Sequence, residues 1–154
     1  MSNEEVWGHL KLAFDESFMV TSACFIEWNG LIGGQGYVVQ GVYEIPVSGG
    51  ETVKLVKVRN PFKQIGDTSL LDSSHGDWTG KFSSGDSQSW DFDLKQKAGY
   101  QFLKDGEFFM SLDDFKQGFK YFTITYMHQG WKQSFIEKRS SVNRRLYKFN
   151  FTIV

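Results

Sequence analysis

Residues 30–41, GLIGGQGYVVQG, place Gly30, Gly33, Gly34 and Gly36 around a single Gln35. Glycines at this density can cradle a phosphate, so that chemistry is tested first. A dinucleotide fingerprint needs its glycines to open a helix, whose N-terminus receives the pyrophosphate. Here the cluster runs into YVVQGVYEI, a strand pattern. A phosphate loop needs Gly-Lys-Ser/Thr at its end, and no such residues follow. The glycines are therefore expected to serve close backbone packing or a bulge within a sheet. The thiol and imidazole groups are equally sparse. Cys24, the lone cysteine, excludes an internal disulfide and a multi-thiolate metal site. It lies in the apolar run TSACFIEW, where a buried core thiol is expected. His9, His75 and His128 are too far apart to form a ligand-spaced pair.

The elements that must position these groups follow from pattern. Residues 4–16 set Val6, Leu10 and Phe14 four apart, an amphipathic helix with acids in its first turn. Residues 17–28 read as a buried strand. Residues 37–45 and 51–60 read as two strands joined through Gly49-Gly50, with Pro61 ending the second. Residues 63–90 are rich in Ser, Gly and Asp and read as a long loop carrying Trp78 and Trp90. A short helix is expected over 91–100. Ser111 and Asp114 form a capping box that opens another. Residues 119–127 form a strand with Phe122, Ile124 and Tyr126 on one face, and 146–153 alternate strictly as a last strand. The expected fold is α+β, β-rich and mainly antiparallel, sheet- or barrel-like, with a few short helices.

Composition narrows the function. The 154 residues suit one domain, 17% of them aromatic, with a formal net charge of −1. That balance argues against a general nucleic-acid binder. No stretch approaches a membrane span, and the polar N-terminus MSNEEVWGHLK is unlike a signal peptide. A cytoplasmic protein is expected.

Four blocks in order resemble the second half of the catalytic core of the calpain cysteine proteases. They are GLIGGQGYVV (30–39), LVKVRNPF (55–62), DWTGKF (77–82) and DGEFFMSLDDF (105–115). The resemblance implies that residues 1–130 form this half of the protease core, with 131–154 as a C-terminal extension. It also implies a papain-type site, in which a cysteine attacks, a histidine carries the proton and an asparagine orients the histidine. On this resemblance Gln35 stands in place of the histidine, Asn60 is the retained asparagine, Phe62 replaces a tryptophan, and Lys63 replaces a glycine. Glutamine has no nitrogen that titrates near neutral pH, so it cannot hold and return a proton. The cysteine-bearing block of the family is absent from the sequence. The expectation is a pseudoprotease.

The resemblance further implies a calcium site, with Asp77, Asp105 and Glu107 as its acidic ligands and the Leu103 carbonyl as a contributor. Ser84 falls where the family has an aspartate, with Asp86 two residues on. Three carboxylates could support weak calcium binding. The competing reading is that Asp105 and Glu107 are loop acids, with Glu107 paired to a lysine. No other cofactor is expected.

The function expected is that of a structural or protein-interaction module, a subunit of a larger assembly or a homo-oligomer. A face that meets the cysteine-bearing half in a protease would here need another protein cover. Triad-lacking relatives of ciliated and flagellated cells imply a cytoskeletal or ciliary setting. Segment 132–148, with six Lys/Arg and one Glu, could instead dock an acidic partner, although a solvated loop is the simpler account. Two alternatives stand beside this reading. One is half of a split protease completed by a cysteine-bearing chain, and the other is a calcium-responsive binding module.

Overall fold

The computed structural model describes residues 1–47, 49–62, 76–101 and 106–126. The expectations for Lys63, His75, Leu103, Asp105, His128, the basic segment 132–148, the strand 146–153 and the boundary at 130 lie outside the described residues.

Helix α1 spans Asn3–Asp15 and buries Val6, Trp7, Leu10 and Ala13. Its start is fixed by a reciprocal cap that sequence reasoning missed. The Ser2 hydroxyl accepts from the Glu5 amide at 3.2 Å, and the Glu5 carboxylate accepts from the Ser2 amide at 2.6 Å. Gly8 sits on the exposed face with nothing near it, so it weakens the helix without interrupting it.

Among the described residues five strands follow: β1 (Met19–Cys24), β2 (Gln35–Pro46), β3 (Thr52–Arg59), β4 (Glu107–Ser111) and β5 (Tyr121–Thr125). They form one sheet in the order β4-β3-β2-β1-β5, and every pairing is antiparallel. The α+β, antiparallel expectation is borne out. The β2–β3 hairpin turns through Gly49 and Gly50, both at positive φ (98° and 82°) as anticipated. Helix α2 (Phe92–Ala98) is capped by Asp91 and stopped by left-handed Gly99. Helix α3 (Leu112–Gly118) is capped by Ser111, whose hydroxyl accepts from the Asp114 amide.

The strand expected over 17–28 is shorter. It ends at Cys24, and Phe25 and Ile26 emerge 60% and 71% exposed. The cause is a two-residue turn at Asn29-Gly30. Trp28 and Leu31 exchange both backbone hydrogen bonds across it, with Asn29 and Gly30 at φ of 44° and 88°. Asn-Gly is the sequence signature of such a turn, and it reverses the chain after it has left the sheet at Cys24.

The sheet is covered on both faces. On one, Val39, Val56, Val58, Phe108 and Met110 pack with Leu10 of α1 and Phe115 of α3. On the other, Ile45, Leu55 and Phe109 pack with Trp90 and with Leu94 of α2. Alternate residues of β3 and β4 divide between these two clusters, as the period-2 geometry of a strand demands.

Candidate functional site

The two positions that the resemblance matches to the family's histidine and asparagine meet at one end of the sheet. Gln35 opens β2 and Asn60 follows the last residue of β3. The Gln35 Nε2 donates to the Asn60 Oδ1 at 2.7 Å. Asn60 is almost wholly buried at 2% exposure. Its Oδ1 also accepts from the Phe62 amide at 3.1 Å, closing an Asx turn around Pro61. Its backbone amide donates to the Gly106 carbonyl at 2.9 Å, tying the corner to the approach to β4. A Cβ on Gly76 would lie 2.3 Å from the Asn60 Nδ2, so the chain at Gly76 lies against the carboxamide. Phe62 itself is 71% exposed.

Cys24 pairs with Gln35 in the β1–β2 register, but its thiol is not presented to solvent. The residue is buried, and Sγ donates to the Ile26 carbonyl at 3.0 Å. Burial pushes the Cys24 thiol up from its ordinary pKa, only partly offset by that contact. A protonated, buried thiol is a poor nucleophile. The expected core role of Cys24 fits this geometry.

The glycines answer the question that the sequence raised. A Cβ on Gly30 would stand 2.1 Å from the Asp77 carbonyl oxygen, and one on Gly33 would stand 2.9 Å from the Glu27 amide nitrogen. Gly76 and Thr79 donate backbone hydrogen bonds to the Gly30 and Asn29 carbonyls. The Trp-Thr-Gly loop is thereby laid directly onto the glycine cluster, and the Trp78 ring packs tilted against that of Trp28, their centres 4.8 Å apart. Both roles foreseen for the glycines occur, because Gly41 adjoins a bulge where the β2–β3 register shifts after Val39. Tyr37 secures the same corner. Its buried phenol oxygen accepts from the Ile32 amide at 2.9 Å, and burial holds its pKa up at about 12.

The candidate calcium ligands are placed as follows. Asp77 lies on the loop packed against Gly30. Glu107 opens β4, where its Oε2 is 2.6 Å from the Lys57 Nζ. Ser84 and Glu107 line one cavity of about 190 Å³ with Lys57, and Asp77 does not line it. Among the described residues no three His, Cys, Asp or Glu side chains are grouped so as to hold a metal ion. Of the described members of that set, Ser84 offers a hydroxyl and Glu107 a carboxylate already paired with Lys57, while calcium takes six to eight hard oxygens.

Asp86 has a different task. Its carboxylate accepts from the amides of Phe82, Gln88 and Ser89 at 2.9, 3.0 and 3.1 Å. It thereby pins Phe82 in a left-handed conformation at φ 65°. Hydrogen bonding, first from the Ser89 side chain and then from these amides, outweighs slight burial and lowers the carboxyl to about 2. A depressed carboxyl stabilises the fold above its unfolded value of about 4, and the contribution fades as pH falls through about 2. Solvent screening keeps the effect modest. Acid-induced loss of urea resistance between about pH 4 and about pH 2 is expected to be shallower in Asp86→Asn than in the unaltered chain.

Comparison with known proteins agrees with the geometry. The profile of the calpain family cysteine protease domain matches residues 2–126. Calpain-9 of Rattus norvegicus is 34% identical over 92 residues, which is 58% of this chain and 12% of that protein. A calpain of Schistosoma mansoni is 37% identical over 89 residues, 56% of this chain and 10% of its own length. Calpain clp-4 of Caenorhabditis elegans is 32% identical over 93 residues, 59% and 12% of the two chains. The aligned segment thus amounts to about a tenth of each of these relatives. With an antiparallel sheet that brings positions 35 and 60 together, and a profile match over most of its length, this chain belongs to the calpain family of cysteine proteases.

Proposed function

We propose that this chain is a catalytically silent calpain-type module whose work is to bind another protein. The observation that carries this reading is the Gln35–Asn60 hydrogen bond. A carboxamide occupies the place where the resemblance calls for an imidazole, and it is held there by the residue that would have oriented the imidazole. Carboxamides neither accept nor release a proton near neutral pH, so the geometry of a proton carrier is kept without its chemistry.

The surroundings favour a binding role. Phe25 and Ile26 follow the end of β1 beside Gln35, and Phe62 follows Asn60. Tyr121 opens β5 across from Ala23, and its ring meets that of Phe25 edge-on at 5.5 Å. All four residues are at least 60% exposed. Apolar groups gathered at one end of a sheet favour a protein cover. The partner is either a larger assembly, with the cytoskeletal or ciliary setting that the resemblance implies, or a second copy.

The test is peptide cleavage by the pure chain mixed with a separately made cysteine-bearing calpain half. No cleavage is expected from the unaltered chain. Turnover that appears only with Gln35→His would place the deficiency at that residue. Turnover by the unaltered chain would overturn the reading and favour the split-protease alternative. Light scattering on the same chain should show association, lowered by Ile26→Lys.

A further inference from the structure

We propose that Lys57 serves as a built-in cation at the corner of β3 and β4, so that this domain is held there by an internal ammonium and not by calcium.

The corner is built by register. Lys57 stands across from Phe109 and Arg59 across from Glu107, which makes Lys57 and Glu107 diagonal neighbours on adjacent strands. Their charged atoms are 2.6 Å apart, and the two side chains are only 23% and 22% exposed. Partial burial makes such a pair stronger than a fully solvated one. The Lys57 ammonium also lies 5.8 Å from the centre of the Phe109 ring, a further attraction for a cation.

A second donor comes from the bulge in β2. The register passes from Val39 opposite Val58 to Gly41 opposite Lys57, which leaves Gln40 as the extra residue. Its side chain hydrogen-bonds to Glu107. Burial raises the Glu107 carboxyl, but the bonds from Lys57 and Gln40 and the nearby charges of Lys57 and Arg59 outweigh it and leave the group lowered. The carboxylate is therefore ionised and already solvated by protein.

A divalent cation here would have to displace Lys57 from Glu107 and then sit beside two retained positive charges. Like charges at such range are strongly unfavourable away from bulk water. Across the cavity the ion would meet the Ser84 side, which offers a neutral hydroxyl in place of a carboxylate. The inference is independent of the reading of Gln35, since it concerns stability and needs no statement about catalysis.

The experiment follows thermal unfolding and calorimetric titration of the full chain with calcium chloride and with a chelator. The melting temperature of the unaltered chain is expected to be the same in millimolar calcium and in chelator, with no binding heat. Lys57→Met is expected to melt about 3 °C lower or more, and Lys57→Arg close to the unaltered chain. Glu107→Gln should lower melting as well, and combining it with Lys57→Met should cost less than the two separate losses together. If Lys57→Met does not fold, the Lys57→Arg and Glu107→Gln measurements still decide. A calcium-induced rise in melting temperature that Glu107→Gln abolishes would overturn the proposal. So would a Lys57→Met chain that melts with the unaltered one.

Discussion

Gly30→Ala is expected to destabilise the domain by about 2–5 kcal/mol, the sum of a backbone penalty and a collision. The backbone part arises because Gly30 holds φ at +88°, which an L-residue adopts at a cost of about 1–2 kcal/mol. The collision arises because the new methyl would stand 2.1 Å from the Asp77 carbonyl oxygen and 2.9 Å from the Thr79 methyl. A backbone oxygen cannot rotate aside as a side chain can. The Trp-Thr-Gly loop must therefore lift, and the Gly76–Gly30 hydrogen bond and the Trp28–Trp78 contact lift with it. Gly34 supplies the control within the same cluster. It has φ +78°, but nothing lies within 4 Å of its missing Cβ. Gly34→Ala should then show the backbone penalty alone, about 1–2 kcal/mol. Urea midpoints for the two variants separate the contributions, provided the slope is unchanged. Equal losses would mean that the loop is not seated on Gly30 as described.

The same cluster shows how far the sequence could be read. That its glycines served backbone contact and a bulge followed from a strand pattern after Gly36, with no need of coordinates. What they approach did not follow, because Asp77 is 47 residues from Gly30 and nothing local links the two. The short helix expected over 91–100 is α2, with Asp91 as its cap and Gly99 as its stop, and helix α3 was legible through Ser111, whose side chain acts within a few residues. Strand β4 was not. Its EFFMS buries Phe108, Phe109 and Met110 in succession, since core covers both faces of the sheet there. Without alternation a strand loses its period-2 signature. The reverse error occurred after β1, where an apolar run suggested burial and Phe25 and Ile26 proved exposed. Apolar composition reports that a residue needs cover, and not whether its own chain supplies it.

At the candidate site, legibility divided along chemical lines. Positions 35 and 60 were paired through a resemblance, and the structure joins them at 2.7 Å. Glu107 was weighed between metal ligand and lysine partner, and only the cross-strand register of β3 and β4 brings Lys57 to it. Gln40 went unnoticed because a bulge that re-aims one side chain leaves little trace in an alternating strand.

Asn60→Ala should cost about 2–4 kcal/mol, far more than Gln35→Ala at under about 1 kcal/mol. Both residues share one hydrogen bond, so the inequality lies in what else each does. Gln35 is half-buried, and without Asn60 its carboxamide can turn to water. Asn60 is buried, and its Oδ1 serves the Phe62 amide as well as Gln35. Truncation leaves donors without an acceptor beneath the Gly76 chain, together with a small cavity where Nδ2 had been. In the double variant the shared bond is lost only once, so its cost should fall short of the sum by at least about 0.5 kcal/mol. Denaturant unfolding of the three chains measures this. If Asn60→Ala proved as mild as Gln35→Ala, Asn60 would be only the partner of residue 35. The larger loss expected means that Asn60 is the keystone of the β3 corner. That second duty gives a physical reason for an asparagine at position 60 whatever residue stands at position 35.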